Sequence, residues 1–202
     1  MTVYAVVNHL LNPRSDASEV EPVWSLISPA GILQGGNPYF VPDFASCFRA
    51  IPAMAVRIGK LGKGIARRFV YRYVDAVAPA ALFIAADRLQ SLRKRGLPWT
   101  SAISYDRCLA VGRFMQPDYE AVLRSECGIA LESEESTCWL SCFPFCQSPP
   151  LDLVVESISR DNTLKTGDLI LIGISGEGPL VRPGLKARLK MNGQESLGFN
   201  IR

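Results

Sequence analysis

Histidine is almost missing from this chain: His9 is the only one in 202 residues. Any site that needs two imidazoles is therefore excluded, and His9 itself reads either as a pocket residue or as a partly buried or surface side chain. Excess charge is missing too. A net charge of +3 is too small to argue for nucleic acid. The cations cluster only at Lys60 to Arg68 and Arg93 to Arg95, as expected for solvated faces. Long apolar runs are absent. The longest, Val74 to Ala86, is broken by Asp75 and Pro79 and falls short of the roughly 20 residues that span a bilayer, so no membrane partner is expected. The N-terminal MTVYAVVNHLL carries no basic leader or small-residue cleavage site, which leads us to expect a cytoplasmic protein. There is no Gly-x-Ser-x-Gly elbow, phosphate loop or dinucleotide fingerprint.

Six cysteines are present, at Cys47, Cys108, Cys127, Cys138, Cys142 and Cys146. In a cytoplasmic chain they should be reduced and behave as small hydrophobes. Cys138, Cys142 and Cys146 are spaced for one helix face, but Pro144 interrupts a helix there and no histidine assists, so a metal site is not expected. Cys108 could serve as a nucleophile, yet no base is in view and a packed thiol is the simpler reading.

The composition is otherwise that of an ordinary globular protein, with 48% apolar and 20% charged residues. The most informative segment is Gly96-Leu97-Pro98-Trp99-Thr100, followed by Ser104-Tyr105-Asp106. A helix over Ala85 to Arg95, apolar at Ala85, Leu89 and Leu92, should end at Gly96, and Pro98 prevents its return. The loop reads equally as a turn whose Trp99 caps the core or as a mount for binding groups. Strands are expected at Thr2 to Val7, Val23 to Ile32 (with a Pro-Ala-Gly turn inside it), Ala53 to Ile58, Val77 to Ile84, Tyr119 to Leu123, Gly128 to Leu131, Asp168 to Ile174 and Gly184 to Met191. Asn8 to Val20 reads as a loop or lid and Ala66 to Tyr73 as a short helix. Asn192-Gly193 between apolar runs is a hairpin signal, and Gly35 to Pro38 is a turn. Many strands and few helices imply one α+β domain over residues 1–202, mostly β.

Several of these residues together resemble the fumarylacetoacetate hydrolase family, in its single-domain acylpyruvate hydrolase and oxaloacetate decarboxylase branch. They are Ile58-Gly59-Lys60, Tyr73-Val74, Ala85, Asp87, Gly96 to Thr100, Ser104 to Asp106, Phe114, and Thr163 to Leu171 with Gly173. Asn8 stands where the family has an Asn after its first strand. The resemblance implies a mixed β-sandwich roll, a homodimer, and Mg2+ or Mn2+ held by three carboxylates, with a Lys beside the substrate carboxylate and a His/Glu pair in a lid.

Aligned without a gap over residues 51–112, the family's Glu-x-Glu falls on Ile51 and Ala53 and its metal-binding Asp on Leu82. The Lys falls on Ile103, the lid pair on Asn12 and Ser15, and the Thr-Gly-Thr loop on Ile172-Gly173-Ile174. A hard cation needs oxygen ligands, which Ile, Ala and Leu do not supply, so Mg2+ and Mn2+ are not expected here. No catalytic residue is assigned. Asn8, His9, Trp99, Ser104, Tyr105 and Asp106 remain as pocket candidates. The expected function is a non-canonical or inactive member that binds a small carboxylate or a protein partner. A metal-independent enzyme using some of Asn8, His9, Asp106 and Cys108 is a second reading. The alternative is a hydrolase or lyase that cleaves a C–C bond of a 2-oxo or 1,3-dicarbonyl acid.

Overall fold

The computed structural model describes residues 1–11, 21–33, 35–119, 128–133, 139–142, 149–174 and 178–202. In chain order, β1 (Val3–Val6) leads through a single helical turn, α1 (Asn8–Leu11), to β2 (Trp24–Ile27). A 3-10 turn at Pro29–Gly31 enters the short β3 (Ile32–Leu33). Two long strands follow, β4 (Phe48–Ile58) and β5 (Val74–Ala85), joined through a 3-10 segment at Arg67–Arg72. Helix α2 (Ala86–Lys94), a 3-10 turn at Thr100–Ala102 and β6 (Leu109–Val111) complete the first part. The second part comprises β7 (Gly128–Ser133), β8 (Trp139–Cys142), α3 (Leu151–Asp161), β9 (Leu169–Ile172), β10 (Lys186–Met191) and β11 (Gln194–Asn200).

Seven strands form one mixed sheet in the order β2-β1-β9-β4-β5-β6-β3, and β11-β10-β7-β8 form a second. β1 runs parallel to β9 and β3 parallel to β6, while β4 and β5 pair antiparallel along their whole length. The large sheet curls until its edges approach. Ser28, just past the β2 edge, donates its backbone N–H to Ser104 Oγ at 3.1 Å, and four residues later the chain joins the opposite edge as β3. This is the mixed β roll that the resemblance implies.

Successive side chains on a strand point to opposite faces, and here the two faces build different layers. Ile51, Ala53 and Ala55 of β4 point into the roll with Ala78, Ala80, Leu82 and Ile84 of β5. Met54, Val56 and Ile58 point outward beneath α3. That helix buries Leu151, Val154, Val155 and Ile158, an i, i+3, i+4, i+7 stripe that seats it on the sheet. Ala50, Ala81 and Phe83 face Leu131, Ala187, Leu189 and Phe199 of the second sheet. Neither proline breaks the large sheet. Pro52 lies beyond the β4 residues that pair with β9, and Pro79 sits where β5 changes partner from Met115 to β6.

Several boundaries differ from expectation. β4 begins at Phe48 rather than Ala53, because Phe48 to Pro52 carries one Arg and one Pro that disguise a strand whose inner face is fully packed. Residues 8–11 are helical rather than loop, and α3 was not anticipated. Tyr119, the one described residue of the strand expected over Tyr119 to Leu123, is helical. Gly128–Ser133, Leu169–Ile172 and Lys186–Met191 are strands as expected, and Asn192 and Gly193 take positive φ (51° and 80°) in the β10–β11 hairpin.

Candidate functional site

The four positions that matter most meet inside the roll. Ile51 lies directly opposite Leu82 in the β4–β5 ladder, and Ala53 opposite Ala80. Ile103 joins the same cluster, and Ile51, Ala53, Leu82 and Ile103 all have zero solvent exposure. The register inferred from sequence therefore brings together the residues it was expected to bring together. No oxygen donor comes from any of their side chains, so the set does not fit a hard divalent cation. Among the described residues, no group of three or more His, Cys, Asp or Glu side chains is gathered as a metal would require.

The Gly96 loop is what seals this interior. Gly96 caps α2 with φ +63°, where a side chain would be strained. Its N–H donates to the Arg93 carbonyl at 3.1 Å, and the Leu97 N–H to the Leu92 carbonyl at 3.0 Å. This paired closure stops the helix and throws the chain back toward the roll. Trp99 packs against the interior cluster, and the turn at Thr100–Ala102 then drops Ala102 and Ile103 into it.

Two of the remaining candidates, Asn8 and Tyr105, hold the fold by identifiable bonds. Asn8 is buried, and its amide bridges two backbone groups, donating to the Glu21 carbonyl and accepting from the Val23 N–H. It thereby ties the chain entering β2 to the end of β1. His9 beside it is partly buried, and among the described residues neither ring nitrogen has a hydrogen-bond partner. Tyr105 donates its hydroxyl to the Phe83 carbonyl at 2.9 Å, so Tyr39, 3.0 Å away, must donate to Tyr105. Burial pushes both phenols far above their ordinary range, so neither is an acid at physiological pH. Asp106 is exposed, and Cys108 has zero exposure, with its thiol pushed up to about 11 by burial. A nucleophilic thiolate needs the opposite environment. No hydrogen bond joins Asn8 or His9 to Trp99, Ser104, Tyr105 or Asp106. The lid positions Asn12 and Ser15, together with Cys127, Cys138 and Cys146, lie outside the described residues.

Sequence reasoning missed one feature altogether. A cleft of about 380 Å³ opens between the two sheets, floored by Ala50, Phe83, Leu131 and Ile201 and edged by Arg49 and Arg182. Gly178 forms part of its wall. A Cβ there would collide with the Ala50 carbonyl oxygen, so only glycine lets this segment lie against β4 and offer its own carbonyl to Arg49. No local motif signals such a cleft, since its walls come from five separate stretches of chain.

Among the described residues, no helix is long and apolar enough to cross a membrane. The chain matches the family model described as fumarylacetoacetate (FAA) hydrolase C-terminal over residues 6–201. It is 26% identical to an oxaloacetate tautomerase of Mus musculus mitochondria, FAHD1, over 96% of this chain and 87% of that one. It is 27% identical to a mitochondrial oxaloacetate decarboxylase of Dictyostelium discoideum, over 84% and 78%. A solved structure of a fumarylacetoacetate hydrolase family protein from Yersinia pestis CO92 superposes with a TM-score of 0.81 at 21% identity, covering 100% of this chain and 92% of that one. Fold, register and a match spanning nearly the whole chain agree: this protein belongs to the fumarylacetoacetate hydrolase family.

Proposed function

We propose that this chain keeps the family's roll without the family's metal-centred reaction, and works as a binding member of the family. The observation that carries this reading is the sealed interior: Ile51, Ala53, Leu82 and Ile103 pack with zero exposure where carboxylates and a lysine would stand. Four polar positions replaced together by apolar side chains leave no buried charge unpaired, so the exchange costs the fold nothing. The ligand expected under this reading is a small carboxylate or a protein partner, and the resemblance favours a homodimer, which light scattering would check.

The second reading is that the chain cleaves a C–C bond of a 2-oxo or 1,3-dicarbonyl acid, or interconverts tautomers of one. The relatives favour this reading over the first, since they are an oxaloacetate tautomerase and an oxaloacetate decarboxylase. It requires chemistry drawn from groups other than those at Ile51, Ala53, Leu82 and Ile103. One assay separates the two. The purified chain is incubated with oxaloacetate and with an acylpyruvate, with and without Mn2+. The first reading expects the background rate under every condition; turnover in proportion to protein would replace it with the second.

A further inference from the structure

The cleft between the sheets carries chemistry that the interior has given up. Its floor is apolar, from Phe83, Leu131, Ile201 and Leu185, and its volume of about 380 Å³ falls in the range of small-molecule sites. Among the described residues its charges do not cancel. Glu132 is neutralised by Lys190, whose ammonium lies 2.7 and 2.8 Å from its two carboxylate oxygens. Arg49 and Arg182 have no carboxylate partner among the described residues. Arg49 is partly buried and aimed by a single bond, its Nη1 donating to the Gly178 carbonyl at 2.7 Å, which leaves the rest of its donor fork unused. An apolar floor with guanidinium groups at its edge selects an anion with an apolar body, because guanidinium pairs carboxylate through two parallel N–H bonds. A neutral ligand would leave that fork unmatched, and a highly charged one would leave the floor wet.

We infer that the cleft of Arg49, Phe83, Leu131, Arg182 and Leu185 is a binding site for a small monocarboxylate with an aliphatic or aromatic tail. It lies on the opposite face of β4 and β5 from the family's catalytic positions, and it stands whether or not the interior retains any activity.

Isothermal titration of the full chain with octanoate, and in parallel with octanamide, tests this. One saturable site for octanoate, bound at least tenfold more tightly than octanamide, is expected. Arg182→Gln, on an exposed residue, should weaken octanoate several-fold without altering the far-ultraviolet circular dichroism, and Leu185→Trp should block the cleft and abolish saturation. Failure of octanoate to saturate a site would overturn the inference. So would equal binding of the amide, or binding untouched by both substitutions in folded protein.

Discussion

Ile51 and Ala50 are neighbours in β4, yet Ile51 is sealed among Leu82, Ile84 and Ile103 inside the roll, while Ala50 floors a cleft edged by arginines. One face of the β4–β5 ribbon has become ordinary hydrophobic core. The other, where the second sheet meets the first, keeps a concave surface whose Arg49 and Arg182 have no carboxylate partner among the described residues. The contrast shows how two faces of one ribbon can carry different chemistry. Polar groups at the old positions would need partners to be tolerated, whereas Ile, Ala and Leu need only volume. The β4–β5 pairing that would hold ligands in a metal-binding relative here holds the core together.

The sharpest way to break the comparison is to place the same carboxylate on either side. Ile51→Glu buries an unpaired charge, and denaturant unfolding should show a loss of about 4 kcal/mol or more, or failure to fold. Leu180→Glu, at a cleft residue 44% exposed, should cost under about 0.5 kcal/mol. If Ile51→Glu were nearly neutral, the interior would be wet and the contrast would collapse.

A second test uses the buried groups between the two regions. Cys108 has an ordinary value of 9.0 and is pushed up to about 11 in the folded chain. A raised value means that the unfolded chain loses its proton first. The stability contributed is therefore complete below about pH 9 and is lost as the pH climbs toward 11, on the order of 2–3 kcal/mol from this thiol. Tyr39 and Tyr105 shift the same way and add to the fall. Unfolding midpoints measured between pH 7 and pH 11 should decline steadily above pH 9; a flat profile would mean that these groups reach water. In the same range below pH 9, Cys108 should resist a thiol reagent while Cys47, which is partly exposed, reacts.

Tyr105 ties the chain after the Gly96 loop to β5 and to Tyr39, and Tyr105→Phe leaves the Phe83 carbonyl and the Tyr39 hydroxyl without their partner. A loss of about 1–3 kcal/mol is expected, read as a lower unfolding midpoint with the slope unchanged. The smallest effect belongs to the surface. Arg67 holds Asp152 through two bonds of 3.0 and 3.1 Å, but both side chains reach solvent, so Asp152→Asn should cost no more than about 1 kcal/mol and less in high salt.

Much of the fold was legible in advance, for physical reasons that differ along the chain. Helix α2 and its Gly96 stop were readable because capping is local. The β10–β11 hairpin was readable because Asn-Gly encodes its own turn. The meeting of Ile51, Leu82 and Ile103 was readable only through the family resemblance, which supplied a register that no local pattern contains. The start of β4 was hidden because Arg49 and Pro52 interrupt its apolar pattern, and α3 because its short apolar stripe directly follows two prolines, which read as a turn. Asn8 looked like a pocket residue, and its clamp on Glu21 and Val23 depends on backbone groups more than ten residues away. The cleft was invisible, since Arg49, Phe83, Leu131 and Arg182 acquire meaning only after both sheets have packed.

Direct titration of the untouched chain with Mn2+, after exhaustive chelation, shows whether the interior has a place for the family's cation. With Ile51, Ala53, Leu82 and Ile103 in place of ligands, only the weak, non-saturating heats of surface carboxylates are expected. One tightly bound ion per chain, recovered by adding chelator and restored by adding metal, would contradict it.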